Sequence, residues 1–223
     1  MTPAASPRAT RPSADETRDR IVAAALDQFS EHSFEGATTR AIAQAAGVTQ
    51  PLLNYHFGTK DELWRAVIER LFARLDDVLA ARIDGLRGVD DLTTAKLIVR
   101  EFVLFSAANP QLHRIITQEC KTDGPRFGWL VDTYVRPLYE ATAQRLQALS
   151  EAGLMADVPA VHLYYILTGA GATMFVLAPE CRRLTGIDPF DPAVVDQHAD
   201  AVVALLFGDA AIDAPGARRG HQA

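Results

Sequence analysis

Residues 38–60 read TTRAIAQAAGVTQPLLNYHFGTK, and the fold is decided by how this stretch is punctuated. Thr38 and Thr39 carry hydroxyls that accept bonds from the orphan N–H groups of a helix start. Ile42 and Ala45–Ala46 recur at helical spacing and give a first short helix its inward face. Gly47 stands where a helix ends in a left-handed residue, and Val48 plugs the turn. Thr49 is placed to cap a second helix. Pro51 falls in that helix's first turn, where its missing N–H would go unpaired anyway. Leu53 and Phe57, four apart, form the inward edge, leaving Thr49, Gln50, Asn54, Tyr55 and His56 outward. Two short helices around a glycine-containing turn make a helix-turn-helix, whose second helix enters the major groove of DNA with its N-terminal residues on base edges. The outline alone fits other small helical proteins, so the residues themselves must carry the argument.

They do so through a resemblance. Thr39, Ile42, Ala43, Ala46, Gly47, Val48, Thr49, Leu53, Tyr55, His56, Phe57, Lys60 and Leu63 resemble the recognition helix and following linker of the TetR (tetracycline-repressor) family of bacterial regulators. The preceding helix, IVAAALDQFSEHSFEGATT, extends the resemblance to roughly residues 17–71. Many members have Gly where this chain has Pro51, and Tyr where it has Asn54, so the operator sequence cannot be borrowed from relatives. The resemblance implies an all-α fold: an N-terminal three-helix helix-turn-helix domain and a larger C-terminal helical ligand-binding and dimerisation domain. It implies a homodimeric repressor on a palindromic double-stranded DNA operator, released by a small-molecule effector. The matching DNA-contact positions are Thr39, Arg40, Thr49, Gln50, Pro51, Asn54, Tyr55, His56 and Lys60. Thr39, Tyr55 and Lys60 suit phosphate contact. Gln50 suits the N6 and N7 edge of adenine, and Pro51 and Leu52 suit a thymine methyl. Arg40 suits either role, and His56 is alternatively a core or capping residue.

Charge is consistent with a local contact surface. The 223-residue chain carries a net charge of −6. Residues 1–60 balance Arg8, Arg11, Arg18, Arg20, Arg40 and Lys60 against Asp15, Glu16, Asp19, Asp27, Glu31 and Glu35. The acid excess therefore lies beyond the reading head, and DNA contact needs only local positive charge. A hydrophobic content of 48% indicates a folded globular chain. No apolar run approaches membrane-spanning length, and residues 1–12 lack the apolar core of a secretory signal. Two cysteines form neither a disulfide framework nor a metal spacing, so a cytoplasmic location is expected. Cys120 is expected in a buried helix and Cys181 in a loop, with redox sensing as the alternative.

Hydrophobic periodicity predicts some nine helices and no strands. Ser13 and Glu16 form a capping box for a helix bearing Ile21, Ala25 and Phe29 and ending near Ser33. Thr59 caps a long connecting helix, residues 59–84, carrying Leu63, Val67, Leu71, Leu75 and Leu79. Further helices are expected over 91–108, 111–121, 126–151 with a kink near Pro137, 159–178 and 192–207. The breaker-rich residues 179–191 read as a loop. The expected organisation is a disordered tail (1–12), a DNA-binding domain (13–58), a regulatory and dimerisation domain (59–208) and a second disordered tail (209–223).

Within the larger half, Gly169–Ala170–Gly171–Ala172 make one stretch of a helix small, and Val195, Ala199, Val202–Val203 and Leu206 form an apolar stripe. The resemblance implies that helices 159–178 and 192–207 build the dimer interface. Packing within the monomer is the alternative. The resemblance also implies a pocket among the central helices. Its candidates are Phe102, Phe105, His113, Ile116, Glu119, Cys120, Trp129, Tyr134, Tyr165 and Met174, each alternatively ordinary core. Their apolar bias points to a hydrophobic or aromatic effector. Neither a Walker loop, GxGxxG, HExxH nor GxSxG occurs, so no enzyme, cofactor or metal site is expected. A helical interaction protein without operator-specific binding is the competing function.

Overall fold

The computed structural model describes residues 13–155 and 157–208. The two expected tails, with Arg8 and Arg11, lie outside the described residues. All regular structure among the described residues is helical: α1 (Ala14–Gly36), α2 (Thr39–Ala45), α3 (Gln50–Phe57), α4 (Lys60–Gly85), α5 (Asp91–Ala108), α6 (Pro110–Glu119), α7 (Pro125–Leu130), α8 (Arg136–Glu151), α9 (Ala160–Val176), α10 (Ala178–Thr185) and α11 (Pro192–Phe207). The chain divides into two compact units between Glu69 and Arg70. The division falls inside α4, whose first turns carry the buried Leu63, Trp64 and Val67.

In the first unit, α1 opens on the capping box. Glu16 N–H donates to Ser13 Oγ at 3.1 Å, and Ser13 N–H to Glu16 Oε2 at 2.8 Å. Its helical backbone breaks at Ser33, which holds φ +60°. Ile21, Ala25 and Phe29 are buried at one-turn intervals, and the Ile21 and Phe29 side chains each contribute about 2 kcal/mol of apolar burial. On α2 the inward residues are Ile42 and Ala43, with Ala46 just beyond, whereas Ala45 is exposed. The 100° step of an α-helix turns Ala45 away from the face that Ile42 and Ala46 share. Thr38, not Thr39, caps α2, accepting from Ala41 N–H at 3.1 Å. Thr49 occupies the N-cap of α3 with extended backbone but makes no side-chain capping bond.

In the second unit α5 starts on Asp90, whose Oδ1 accepts from Thr93 N–H at 2.9 Å. The long segment after Pro125 runs on to Glu151 through a π-helical turn, Val131–Val135. Arg136 N–H reaches back five residues to Val131 O. Pro137 has no N–H to give Thr133, and the wider turn absorbs that gap ahead of it. Residues 179–191, expected as a loop, contain most of α10. Pro179 sits in its first turn, Arg182 and Arg183 complement its C-terminus, and Gly186 closes it at φ +73°. Cys181 is therefore a half-buried helical residue, and Cys120, just past α6, is exposed and not buried. The expected stripe on α11 also faces inward. Val195, Ala199, Val202, Val203 and Leu206 join Val99 and Val103 of α5 and Leu163, Leu167 and Phe175 of α9 in one core. Arg100 of α5 bridges Asp196 at 2.7 Å and also Asp200, fixing α11 against α5.

Candidate nucleic-acid interface

The turn between α2 and α3 is held from outside itself. Gly47 takes φ +63°, a conformation that favours glycine. Arg20 of α1 donates its Nη2 to Gly47 O at 3.2 Å and also to Ala46 O. A guanidinium there satisfies carbonyls that a helix C-terminus leaves unpaired and suits its negative dipole end. A second tie joins the two helix starts: Gln50 Nε2 donates to Thr39 Oγ1 at 3.1 Å. Beyond α3, Gly58 takes φ +53° and Thr59 and Glu62 form a second capping box, with Glu62 N–H on Thr59 Oγ1 at 3.1 Å and Thr59 N–H on Glu62 Oε2 at 2.9 Å.

Leu53 and Phe57 are buried, so the rest of α3 is presented outward. Gln50, Pro51, Leu52, Asn54 and Tyr55 are exposed, as are Arg40 and Thr49. Tyr55 is 83% exposed, its ring T-shaped to that of His56 with centroids 5.5 Å apart. Thr39 and His56 are half-buried. Lys60 is half-buried too, its Nζ 4.5 Å from the Phe34 ring centroid, so the fold itself engages that ammonium. Helix α3 bears no acidic residue, and its surface offers amide, hydroxyl and apolar groups to a partner. Sequence reasoning missed Arg20 and Glu62. Glu62 was legible three residues after Thr59, whereas Arg20's role needs α1 and the turn brought together.

In the second unit a cavity of about 80 Å³ opens among α4, α5, α8, α9 and α11. Its apolar lining is Leu79, Ala95, Ile98, Val99, Phe102, Leu138, Leu146, Leu149, Leu167 and Phe207, and its polar lining is Thr142, Arg145, Tyr164 and Thr168. Of the ten expected pocket residues only Phe102 is among them. Tyr165 points away, 69% exposed, and Tyr164 takes the place expected of it, one 100° step around α9. Phe105 is buried elsewhere, and Ile116 and Met174 are half-buried off the cavity. Glu119 is buried against Arg126, Nε to Oε2 2.8 Å. Tyr134 stacks on Phe72 at 4.6 Å with Trp129 on its edge. His113 backs Phe102, ring edge to ring face at 5.6 Å, with Nε2 3.1 Å from Ser106 Oγ. Burial lowers its pKa to about 4. Local desolvation of the sulfur and the neighbouring Glu119 charge push the pKa of the surface-accessible Cys120 thiol up, which disfavours the reactive thiolate.

Comparison with known proteins decides the family. The profile described as bacterial regulatory proteins, tetR family, matches residues 21–67, from within α1 into α4. The transcriptional repressor AcnR of Corynebacterium diphtheriae is 30% identical over 156 residues, 66% of this chain and 74% of that protein. This chain belongs to the TetR family. The TetR-family regulator RutR of Escherichia coli K12 is 24% identical over 84% of this chain and 87% of its own length. Among solved structures, AibR in complex with isovaleryl coenzyme A and operator DNA aligns with a TM-score of 0.71 at 16% identity. The alignment covers 86% of this chain and 99% of AibR, and that likeness shows the TetR-like fold. The protein is accordingly a helix-turn-helix transcriptional regulator of this family.

Proposed function

We propose that this protein is a repressor that binds a palindromic operator as a homodimer and leaves it when a small apolar effector fills the second unit. The observation that carries the reading is the outward surface of α3, where exposed Gln50, Pro51, Asn54 and Tyr55 surmount the buried Leu53 and Phe57. A fold that buries one edge of an eight-residue helix and leaves an aromatic ring in water presents the helix for contact. Thr39, Arg40, Thr49, His56 and Lys60 flank it as phosphate and groove contacts. AcnR, named a repressor, and AibR, solved with an acyl-coenzyme A and operator DNA, support repression and effector binding. A DNA-bound role places the protein in the cytoplasm.

Dimerisation uses the faces of α9 and α11 that the chain leaves uncovered. Val161, Tyr165, Ile166 and Gly169 line one stripe of α9, and Ala201, Ala204 and Leu205 one of α11. A two-fold dimer of this kind would read two half-sites about 34–36 Å apart, one DNA turn. Regulation then requires an effector with different affinities for two dimer states, with the continuous helix α4 as transmitter. Footprinting on the DNA upstream of the protein's own gene tests the reading. The expected result is protection of two inverted half-sites one turn apart; protection of random DNA to the same extent would leave a helical interaction protein instead.

A further inference from the structure

We propose that the cavity of the second unit binds a small aliphatic monocarboxylate, with about three to five carbons inside and the carboxylate on Arg145. The proposal rests on the reading of this unit as effector-binding and adds the chemical class. Size sets the first limit. At about 80 Å³ the cavity is about half the roughly 150 Å³ of an engineered apolar cavity that binds benzene, so the body it buries is small. Lining sets the second. The interior walls are aliphatic and aromatic carbon, which favours an alkyl body over a polar one.

Charge sets the third limit. Arg145 is the single charged residue lining the cavity, and no carboxylate lines it. Elsewhere in this unit Arg82, Arg100, Arg126, Arg136 and Arg182 hold an acid within ion-pair distance, whereas Arg74, Arg114 and Arg183, which line no part of this cavity, have none among the described residues. Arg145 has no such partner among the described residues. It is exposed, so its guanidinium stays hydrated at the rim until an anion arrives, and its planar fork matches a carboxylate. Thr142, one turn before it on α8, and Tyr164 on α9 add hydroxyls to the lining, while Thr168 gives its hydroxyl proton to Tyr164 O at 2.9 Å. Burial raises the Tyr164 pKa, which keeps its O–H a donor at neutral pH. One guanidinium matches one negative charge, and a free acid supplies it.

Calorimetry on the full chain, titrated with butanoate, 3-methylbutanoate, 3-methylbutan-1-ol and the coenzyme A thioester of 3-methylbutanoate, tests this. The carboxylates should bind at least tenfold tighter than the alcohol and tighter than the thioester. Arg145→Gln should bring the acids down to the alcohol's affinity with its ligand-free melting temperature unchanged, and Arg145→Lys should keep part of the preference. Absence of carboxylate binding, equal binding of acid and alcohol, tighter binding of the thioester, or an unaltered preference in Arg145→Gln would each overturn the proposal. Operator binding by fluorescence anisotropy, run without ligand, separates the two readings. A chain that binds its operator but neither acid overturns the ligand class alone. A chain that binds the acids but no operator supports the pocket and overturns the repressor.

Discussion

Arg20 ties α1 to the turn of the reading head, and nothing near it in sequence announces that role. Its guanidinium serves two carbonyls at the end of α2, and hydrogen bonds to charged groups contribute about 1.5–3 kcal/mol. Arg20→Ala should therefore destabilise the first unit by about 2 kcal/mol, read as a lower melting temperature together with weaker DNA binding. His113 makes a pH prediction. Its folded pKa of about 4 lies below the ordinary 6.5, so between those values the unfolded chain holds the proton and the folded chain does not. Stability is full above pH 6.5 and falls as pH drops toward 4, by about 3 kcal/mol at most. Denaturant melts at pH 7 and pH 4.5 should show the loss, and His113→Gln should shrink it. At this scale the sequence was legible where the residue acts on its own neighbours, as Ser13 with Glu16. It was not where one helical step decides: Tyr164 meets the cavity and Tyr165 meets water, though both are tyrosines on one apolar helix.

Helix α9 carries two glycines with opposite duties. A Cβ on Gly171 would come within 2.8 Å of Phe102 Cε1 and 3.5 Å of Val103 Cγ2, whereas one on Gly169 would meet nothing within 4 Å. Gly171 thus allows α5 to approach α9 within the chain, beside a ring that lines the cavity. Gly171→Ala should cost about 1–3 kcal/mol by overpacking. Gly169→Ala should raise monomer stability by up to about 1 kcal/mol; a thermal melt of each variant distinguishes them. The four small residues are visible in the sequence, but their division between two surfaces is not, because a small residue signals close approach without naming the partner. The stripe on α11 shows the same limit. Val195, Ala199 and Val202 recur at helical spacing, which predicts a buried face, and α5 of the same chain covers it. A disturbance of the helix at Pro137 was legible because a proline cannot donate; that it takes the form of a π-helical turn ahead of the proline was not.

At the scale of the whole molecule, the chain is two helical units sharing α4, a DNA-reading head and a core that encloses a small cavity. The all-helical order and the helix-turn-helix were legible in the sequence because caps, glycines and prolines mark helix ends locally. The cavity was not, since its lining converges from five helices. The proposed dimer predicts that Ile166→Glu, at a position 43% exposed in the single chain, leaves the monomer folded yet shifts sedimentation to the monomer and weakens operator binding. Whether α3 reads DNA is decided at Tyr55. Its ring is 83% exposed, so replacing it removes little from the fold. The measurement is the operator affinity of Tyr55→Ala against the unaltered protein by fluorescence anisotropy, with melting temperatures taken alongside. At least a tenfold loss, about 1.4 kcal/mol, is expected at an unchanged melting temperature; equal affinity for the operator would mean that α3 does not read DNA.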